Sequence, residues 1–194
     1  MPAQDTERDQ WLTVPNVLTA ARLIAIVPFA LLAIEGRDRA ALILFVLAGL
    51  TDTLDGTIAR HFQQASRIGR LLDPLADKLF TGVSYVVLSA FRGGLDRIPV
   101  WVMTAVLLRD GLILSGSYLV YRASRNSGFK PSVYGKLNTF IELGVVVCFL
   151  AQVDLPFIKP VLPALYVILL LSLLVSIADY LRTGLRMIRQ ISNP

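Results

Sequence analysis

Apolar residues run through this chain in long blocks, and most charged residues lie in the gaps between the blocks. A helix needs about 20 apolar residues to cross the hydrocarbon core of a bilayer. Six segments of suitable length and character can be placed in the sequence, at 16–35, 40–61, 70–91, 98–121, 133–153 and 157–181. The pattern predicts an all-α integral membrane protein with six transmembrane helices.

The composition indicates that little of the chain remains for a separate soluble domain. Of the 194 residues, 55% are hydrophobic, and the mean hydropathy is +0.62, which is too high for an ordinary soluble domain of this length. We therefore expect one membrane domain covering residues 1–194. Residues 5–13 are polar apart from Trp11 and Leu12. They are predicted to form an N-terminal interfacial helix, and a disordered tail is the alternative.

The formal net charge is +5, and its distribution indicates membrane lipid rather than nucleic acid as the partner. The basic residues are scattered between apolar segments, so contact with anionic lipid is favoured and no nucleic acid is expected. Cys148 is the one cysteine, which excludes an intramolecular disulfide. The acidic start of the chain lacks the basic region of a signal or transit peptide. These features predict direct, multi-pass insertion into a plasma (inner) membrane, of bacterial type.

The loops predict an orientation. If the N-terminus is cytoplasmic, the outer loops hold few of the nineteen Lys and Arg residues and the inner side holds most of them, as the positive-inside rule requires. An even number of spans places both termini on that inner side. The turn at His61–Ile68, between the second and third spans, then faces the cytoplasm.

That turn lies within the most informative stretch of the chain, 47–79, which reads D-x2-D-G-x2-A-R-x8-G-x3-D-x3-D from Asp52 onward. An isolated D-x-x-D is more often a pair of helix caps. Here Asp52 and Asp55 share one helix face, and Asp73 and Asp77 share a face of the next helix. Two antiparallel neighbours could bring the four carboxylates together, and such a cluster of hard oxygen ligands suits Mg²⁺ or Mn²⁺.

The whole pattern resembles the signature of the CDP-alcohol phosphatidyltransferases, and the resemblance covers nearly the entire chain. It implies transfer of a phosphatidyl group from CDP-diacylglycerol to an alcohol, with release of CMP. It further implies two divalent ions, Mg²⁺ or Mn²⁺, and a homodimer. The residue roles implied by the resemblance are metal ligands at Asp52, Asp55 and Asp73, a general base at Asp77 that also touches the second metal, and nucleotide-binding positions at Gly56, Ala59, Arg60 and Gly69.

Other charged residues lie inside the predicted spans, where charge is costly and is a functional candidate by default. Arg22 either snorkels to the interface or meets a phosphate. Arg109 and Asp110 form either a structural ion pair or part of a site. Lys78 follows the last aspartate and balances local charge, and Glu142 lies on the inner half of the fifth span.

The acceptor alcohol is the harder question. Within the family, the sequence after Ile98 resembles the mitochondrial-type cardiolipin synthases in its R-D pair at Arg109 and in K-P-x4-K-x-N-T from Lys130. Phosphatidylglycerophosphate synthases usually carry R-E and G-K-x-K-T there, and this chain departs from them at Asp110 and Asn138. The resemblance favours phosphatidylglycerol as acceptor and cardiolipin as product, with glycerol 3-phosphate as the alternative acceptor. The candidate acceptor-binding residues are Arg109, Arg122, Lys136 and Asn138.

A different class, a cation transporter using the four acids as an ion site, is the remote alternative. The sequence shows no internal repeat, which weakens a transporter interpretation, and it contains no P-loop or GxSxG motif. Release of CMP from CDP-diacylglycerol separates the two classes.

Overall fold

The structure, a computed structural model, describes residues 14–62, 69–92, 96–124 and 132–192. These ranges are helical almost throughout and contain no strand. The long helices in them are α1 (Val14–Ile34), α2 (Asp38–Phe62), α3 (Gly69–Val86), α4 (Val100–Ser124), α5 (Val133–Ala151) and α6 (Leu162–Ser192). A π-helix, Val87–Phe91, continues α3, and a 3₁₀-helix, Pro156–Val161, precedes α6.

The all-helical prediction is confirmed, and five of the predicted segments begin and end within a few residues of the observed helices. The sixth differs, because α6 begins at Leu162 after a 3₁₀ turn and continues to Ser192. Pro156 and Pro160 have no N–H to donate, which delays the start of regular α-helix. The predicted interfacial helix at 5–13 and the loop 63–68 lie outside the described residues.

A tight turn reverses the chain between α1 and α2. Gly36 has φ = 73°, in the left-handed region where a side chain is strained. Its N–H donates to Ala33 O at 3.2 Å, and Arg37 N–H donates to Leu32 O at 2.9 Å, which satisfies carbonyls at the end of the helix. The turn makes α1 and α2 antiparallel neighbours.

Three phenylalanines join α1, α2 and α3 at the centre of the bundle. The rings of Phe29 and Phe45 are 5.7 Å apart, those of Phe29 and Phe80 are 5.5 Å apart, and Phe45 stacks on Phe80 at 5.3 Å. All three are buried. The prediction that α2 and α3 are neighbours is confirmed by the Phe45–Phe80 contact.

Ion pairs link the start of α2, Arg92 and Asp96 after the π-helix, and the connection 152–161 at one end of the bundle, called here the Gly36 end. Arg92 donates to both oxygens of buried Asp38, at 2.6 Å each, and lies 5.1 Å from the ring centroid of Phe149. Arg39 pairs with Asp154, and Lys159 pairs with Asp96 at 2.8 Å. The opposite end, where α2 ends and α3 begins, is called the motif end.

The π-helix sets the position of Arg92. Arg92 N–H donates to Val87 O at 2.9 Å, five residues back, and Ile98 N–H donates to Leu88 O at 3.2 Å. The wider turn frees the Leu88 carbonyl to accept from the following segment. The chain therefore folds back at the Gly36 end with Arg92 directed at Asp38.

The outside of the bundle is strongly apolar. Large hydrophobic side chains are exposed on several helices, among them Ile24, Leu47, Leu108, Phe140 and Leu171. Within the described residues, two segments, Val133–Ala151 and Pro156–Gly184, are long and apolar enough to cross a membrane by length and composition. An apolar surface of this extent is typical of a protein that meets lipid or a partner.

Candidate active site

The backbone places the eight motif positions on two neighbouring helices at the motif end. Positions 52, 55, 56, 59 and 60 belong to α2, and Gly69, Asp73 and Asp77 belong to α3. The side chains of 51–62 and 69–74 lie outside the described part of the structure. Asp77 is therefore the motif residue whose surroundings can be given in detail.

Asp77 is held by an arginine from the first helix. Arg22 Nη1 donates to Asp77 Oδ1 at 2.6 Å. The arginine side chain is only 5% exposed, whereas that of Asp77 is 44% exposed. The buried cation thus orients a carboxylate that is still open to solvent or ligand, as a charge-assisted hydrogen bond does. Arg22 is not among the predicted site residues. Its position inside an apolar span nevertheless indicates a functional candidate, because charge there is costly.

The next residue, Lys78, points to a different part of the bundle. Its Nζ donates to Asp110 Oδ1 at 2.9 Å and to Glu142 Oε2 at 3.4 Å. Asp110 Oδ1 also accepts from Arg109 Nη1 at 2.7 Å. Two cations from different helices therefore share one carboxylate oxygen.

Glu142 is the most deeply buried member of this group, with a side chain that is 0% exposed. Its Oε1 accepts from Asn138 Nδ2 at 2.6 Å and lies 3.8 Å from Arg109 Nη1. Tyr85 donates its hydroxyl to the Glu142 carbonyl oxygen at 2.9 Å. A buried carboxylate needs such partners, because an uncompensated charge in apolar surroundings is very costly.

Helix α6 completes the group. Ser172 Oγ donates to Asn138 Oδ1 at 2.7 Å, and Arg109 Nη2 donates to Ser176 Oγ at 2.7 Å. The charges balance, with two cations against two carboxylates. We call this group the buried polar network; its members are Lys78, Arg109, Asp110, Asn138, Glu142, Ser172 and Ser176.

The network has spare hydrogen-bonding capacity. Among the described residues, Asp110 Oδ2 and Arg109 Nε are buried and make no hydrogen bond. Both atoms belong to residues next to the Lys78–Asp110 bond that joins α3 to α4. A buried oxygen and a buried N–H without partners are expected to be costly unless water or a ligand reaches them.

The structure separates the predicted acceptor-binding residues. Arg109 and Asn138 are buried and belong to the same network, whereas Lys136 is exposed near the start of α5. Arg122 lies on α4 with its side chain outside the described part. Sequence reasoning placed Asn138 and Glu142 near one face of α5 but did not identify the contact between them.

The predicted metal ligands lie largely in the part of the structure without described side chains. Among the residues with described side chains, no group of three or more acidic, histidine or cysteine residues is arranged to hold a metal. The donor set itself fits Mg²⁺ or Mn²⁺, since it consists of carboxylates from adjoining helices. Asp77 is half-exposed and oriented by Arg22, so its carboxylate can supply one oxygen to a metal ion.

The bundle thus combines an apolar exterior with charged residues buried on four of its helices. The chain belongs to the CDP-alcohol phosphatidyltransferase family, whose sequence model matches residues 12–178. It is thus a member of a membrane family of CDP-diacylglycerol-dependent phosphatidyltransferases that act in phospholipid biosynthesis and use an alcohol as acceptor.

The names of similar proteins fall into two groups, phosphatidylglycerophosphate-forming enzymes and cardiolipin synthases. A CDP-diacylglycerol–glycerol-3-phosphate 3-phosphatidyltransferase of Aquifex aeolicus is 34% identical over 91% of this chain and 98% of the relative. A cardiolipin synthase (CMP-forming) of Homo sapiens is 35% identical over 72% of this chain and 50% of the relative. A probable phosphatidylglycerophosphate synthase of Mycobacterium tuberculosis is 32% identical over 88% and 81%. The chain spans about half the length of several cardiolipin synthases it matches.

Proposed function

We propose that this protein transfers the phosphatidyl group of CDP-diacylglycerol to phosphatidylglycerol, forming cardiolipin and CMP. The observation that carries the proposal is the joint position of Asp110 and Asn138, the two departures from the glycerophosphate-enzyme pattern. Both lie in the buried polar network, where Arg109 and Glu142 connect them. A lysine at 138, as in the glycerophosphate-enzyme pattern, would add a third cation to a network whose charges already balance. Asp110 and Asn138 are therefore linked through this network and are not independent surface changes.

Charge supports the same acceptor. Glycerol 3-phosphate is small and doubly charged, and its recognition needs about two or three cationic contacts in a compact pocket. Here Arg109 is already engaged by Asp110 and Ser176, and Lys78 by two carboxylates. Phosphatidylglycerol carries one diester charge and needs weaker charge recognition, together with a lateral opening to the bilayer. The exposed Lys136 and the proposed contact at Arg122 supply the remaining positive charge.

The helical repeat supports convergence of the acidic residues. Asp52 follows Phe45 by seven residues and Asp73 precedes Phe80 by seven, so each aspartate position shares a face with its phenylalanine and lies about two turns away. Phe45 and Phe80 are stacked, and α2 and α3 run antiparallel. Positions 52 and 73 are therefore expected at one level on facing helix surfaces.

In the proposed mechanism, Asp52, Asp55 and Asp73 would hold two divalent ions, and Asp77 would also contribute to the second. When bound, such ions neutralise the pyrophosphate and stabilise charge that develops during displacement at phosphorus. Gly56, Ala59, Arg60 and Gly69 bind the nucleotide. Asp77, oriented by Arg22, accepts the proton of the acceptor hydroxyl as the hydroxyl oxygen attacks the phosphorus of the phosphatidyl group. CMP then leaves, and the acyl chains remain in the surrounding lipid.

The membrane arrangement is part of the proposal. All six helices of the single domain 1–194 cross a plasma membrane, with both termini and the motif end on the cytoplasmic side. The apolar exterior of α1, α2 and α4 supports spans beyond the two that composition alone identifies. Residues 5–13 would lie at the interface, and a homodimer is proposed from the family resemblance.

Membership in a transferase family displaces the cation-transporter alternative.

Phosphatidylglycerophosphate synthesis from glycerol 3-phosphate is the second candidate. The near full-length match to the Aquifex relative favours it, because the cardiolipin synthase matches cover less of this chain. Gly135 and Lys136 also fit the pattern of that group.

The test is a competition assay with purified protein and Mg²⁺. CDP-diacylglycerol is supplied with equal amounts of phosphatidylglycerol and glycerol 3-phosphate, and the lipid products are separated by mass. We expect cardiolipin, and we expect Arg109→Ala and Lys136→Ala to reduce its formation. Phosphatidylglycerophosphate as the sole product would assign the protein to the second candidate. No CMP from either acceptor would refute both.

A further inference from the structure

Helix α3 is held from two sides by adjacent residues. Asp77 is bonded to Arg22 of α1, and Lys78 is bonded to Asp110 of α4 and Glu142 of α5. Adjacent residues on a helix point about 100° apart. Bonds in these two directions oppose rotation of this part of α3 about its axis. They act in addition to the Phe80 ring contacts and the Tyr85–Glu142 hydrogen bond further along the helix.

Rotation matters because the acidic positions lie on the same half of α3. A side chain extends about 6 Å from the helix axis, so a rotation of about 20° moves a carboxylate by about 2 Å. Misplacement of about 1 Å at a reacting centre can reduce turnover by about 100-fold. The angle of α3 is therefore critical for any reaction that uses Asp73 and Asp77.

We infer that Lys78, clamped by Glu142 and Asp110, is a positioning residue that sets the rotation of α3 and thereby the placement of its carboxylates. The inference rests on the proposed function for the role of Asp77. It differs from a charge-balancing role for Lys78. Balance requires only that the buried charges sum to zero, whereas positioning requires that the cation is attached to α3 itself.

A neutral double variant separates the two roles. Lys78→Met alone leaves Asp110 and Glu142 facing only Arg109, and this excess buried charge can impair folding. Lys78→Met with Glu142→Gln keeps the network neutral and retains an oxygen that accepts from Asn138. If Lys78 only balances charge, the double variant regains wild-type behaviour. If Lys78 positions α3, the double variant folds but works poorly.

The measurements are CMP release with purified protein, the unfolding temperature, and Mn²⁺ binding without substrate, followed by the loss of the paramagnetic signal of free Mn²⁺. For the double variant we expect wild-type unfolding, kcat lowered about tenfold or more, a KM for CDP-diacylglycerol within about threefold, and weaker Mn²⁺ binding. Lys78→Arg, which keeps a cation on α3, should retain more turnover than Lys78→Met.

The matched control is Ser84→Ala. Ser84 is buried in the same helix, but its hydroxyl donates to Phe80 O within α3, so this hydrogen bond does not link α3 to another helix. This variant should keep kcat and Mn²⁺ binding. Wild-type kcat and Mn²⁺ binding in the double variant would overturn the inference. Wild-type protein that binds Mn²⁺ but releases no CMP would instead refute the proposed function, and the Mn²⁺ comparison would still test the positioning role.

Discussion

Arg22 and Asp77 are separated by 55 residues in the chain, and their side chains meet at 2.6 Å. The arginine lies on α1 and its side chain is only 5% exposed, so burial restricts where its guanidinium can lie. The carboxylate at the other end remains half-exposed. A rigid donor thus orients the group proposed as the general base.

Replacement of Arg22 should therefore reduce turnover. Arg22→Met retains the apolar stem but removes the charge, and we expect kcat to fall about tenfold, since a hydrogen bond to a charged group contributes about 1.5–3 kcal/mol and exposure of Asp77 reduces that value. Arg22→Lys should retain part of the activity. Arg37→Met is the control, because Arg37 is exposed and its ion pair among the described residues is with Glu35, two residues away. Equal activity of Arg22→Met and wild type would contradict the orienting role.

The aspartates should divide into two classes. Asp52→Ala, Asp55→Ala and Asp73→Ala are expected to abolish CMP release and weaken Mn²⁺ binding, because each removes a proposed metal ligand. Asp77→Asn should lose kcat more than it loses affinity for CDP-diacylglycerol, since a base acts in the transition state. Near-normal turnover of Asp77→Asn at saturating metal would show that another group is the base.

The Arg92–Asp38 pair should matter for stability and not for chemistry. Both side chains are buried and the pair is bidentate, so Asp38→Ala leaves a buried cation and should destabilise the fold by about 3–5 kcal/mol. Asp38→Leu with Arg92→Met should recover much of that loss. Because the pair lies at the Gly36 end, CMP release per folded molecule should stay constant. A loss of kcat in the stable double variant would place a functional role at this end.

Two glycines of α4 give a matched test of helix packing. A Cβ at Gly116 would lie 2.2 Å from Tyr180 Oη and 2.9 Å from its ring carbons, whereas a Cβ at Gly111 meets nothing within 4 Å. Gly116→Ala should lower the unfolding temperature, because α4 and α6 must move apart or Tyr180 must shift. Gly111→Ala should be neutral or slightly stabilising, since alanine favours helix. Equal unfolding temperatures for the two variants would mean that Tyr180 moves aside at little cost.

The proposed orientation can be tested with single cysteines in a Cys148→Ser background. Phe157 is exposed in the 3₁₀-helix at the Gly36 end, and Gln64 lies in the turn at the motif end, outside the described residues. A membrane-impermeant maleimide added to intact cells should label Phe157→Cys and not Gln64→Cys. The opposite result would invert the topology and move the proposed site to the outer face.

The sequence alone determined the helices and the class of chemistry. Long apolar blocks can only be spans of a membrane protein or buried helices, and their lengths place the ends of five of the six helices within a few residues. The sixth segment, predicted at 157–181, differs from α6, which is Leu162–Ser192. The D-x2-D-G-x2-A-R-x8-G-x3-D-x3-D pattern is equally local, since its spacing belongs to two consecutive helices. Both kinds of information are contained in short segments, which is why they could be predicted.

Only the tertiary structure decided which charges meet. Arg22 could have reached the interface or a phosphate, yet it pairs with Asp77. Lys78 appeared to balance its neighbour, yet it bonds to Asp110 and Glu142 on two other helices. Asn138, a sequence marker of acceptor type, proved to be a buried partner of Glu142. In a low-dielectric interior each charge must find a partner wherever the packing of the helices places one, and that depends on how whole helices are rotated and aligned rather than on any local spacing.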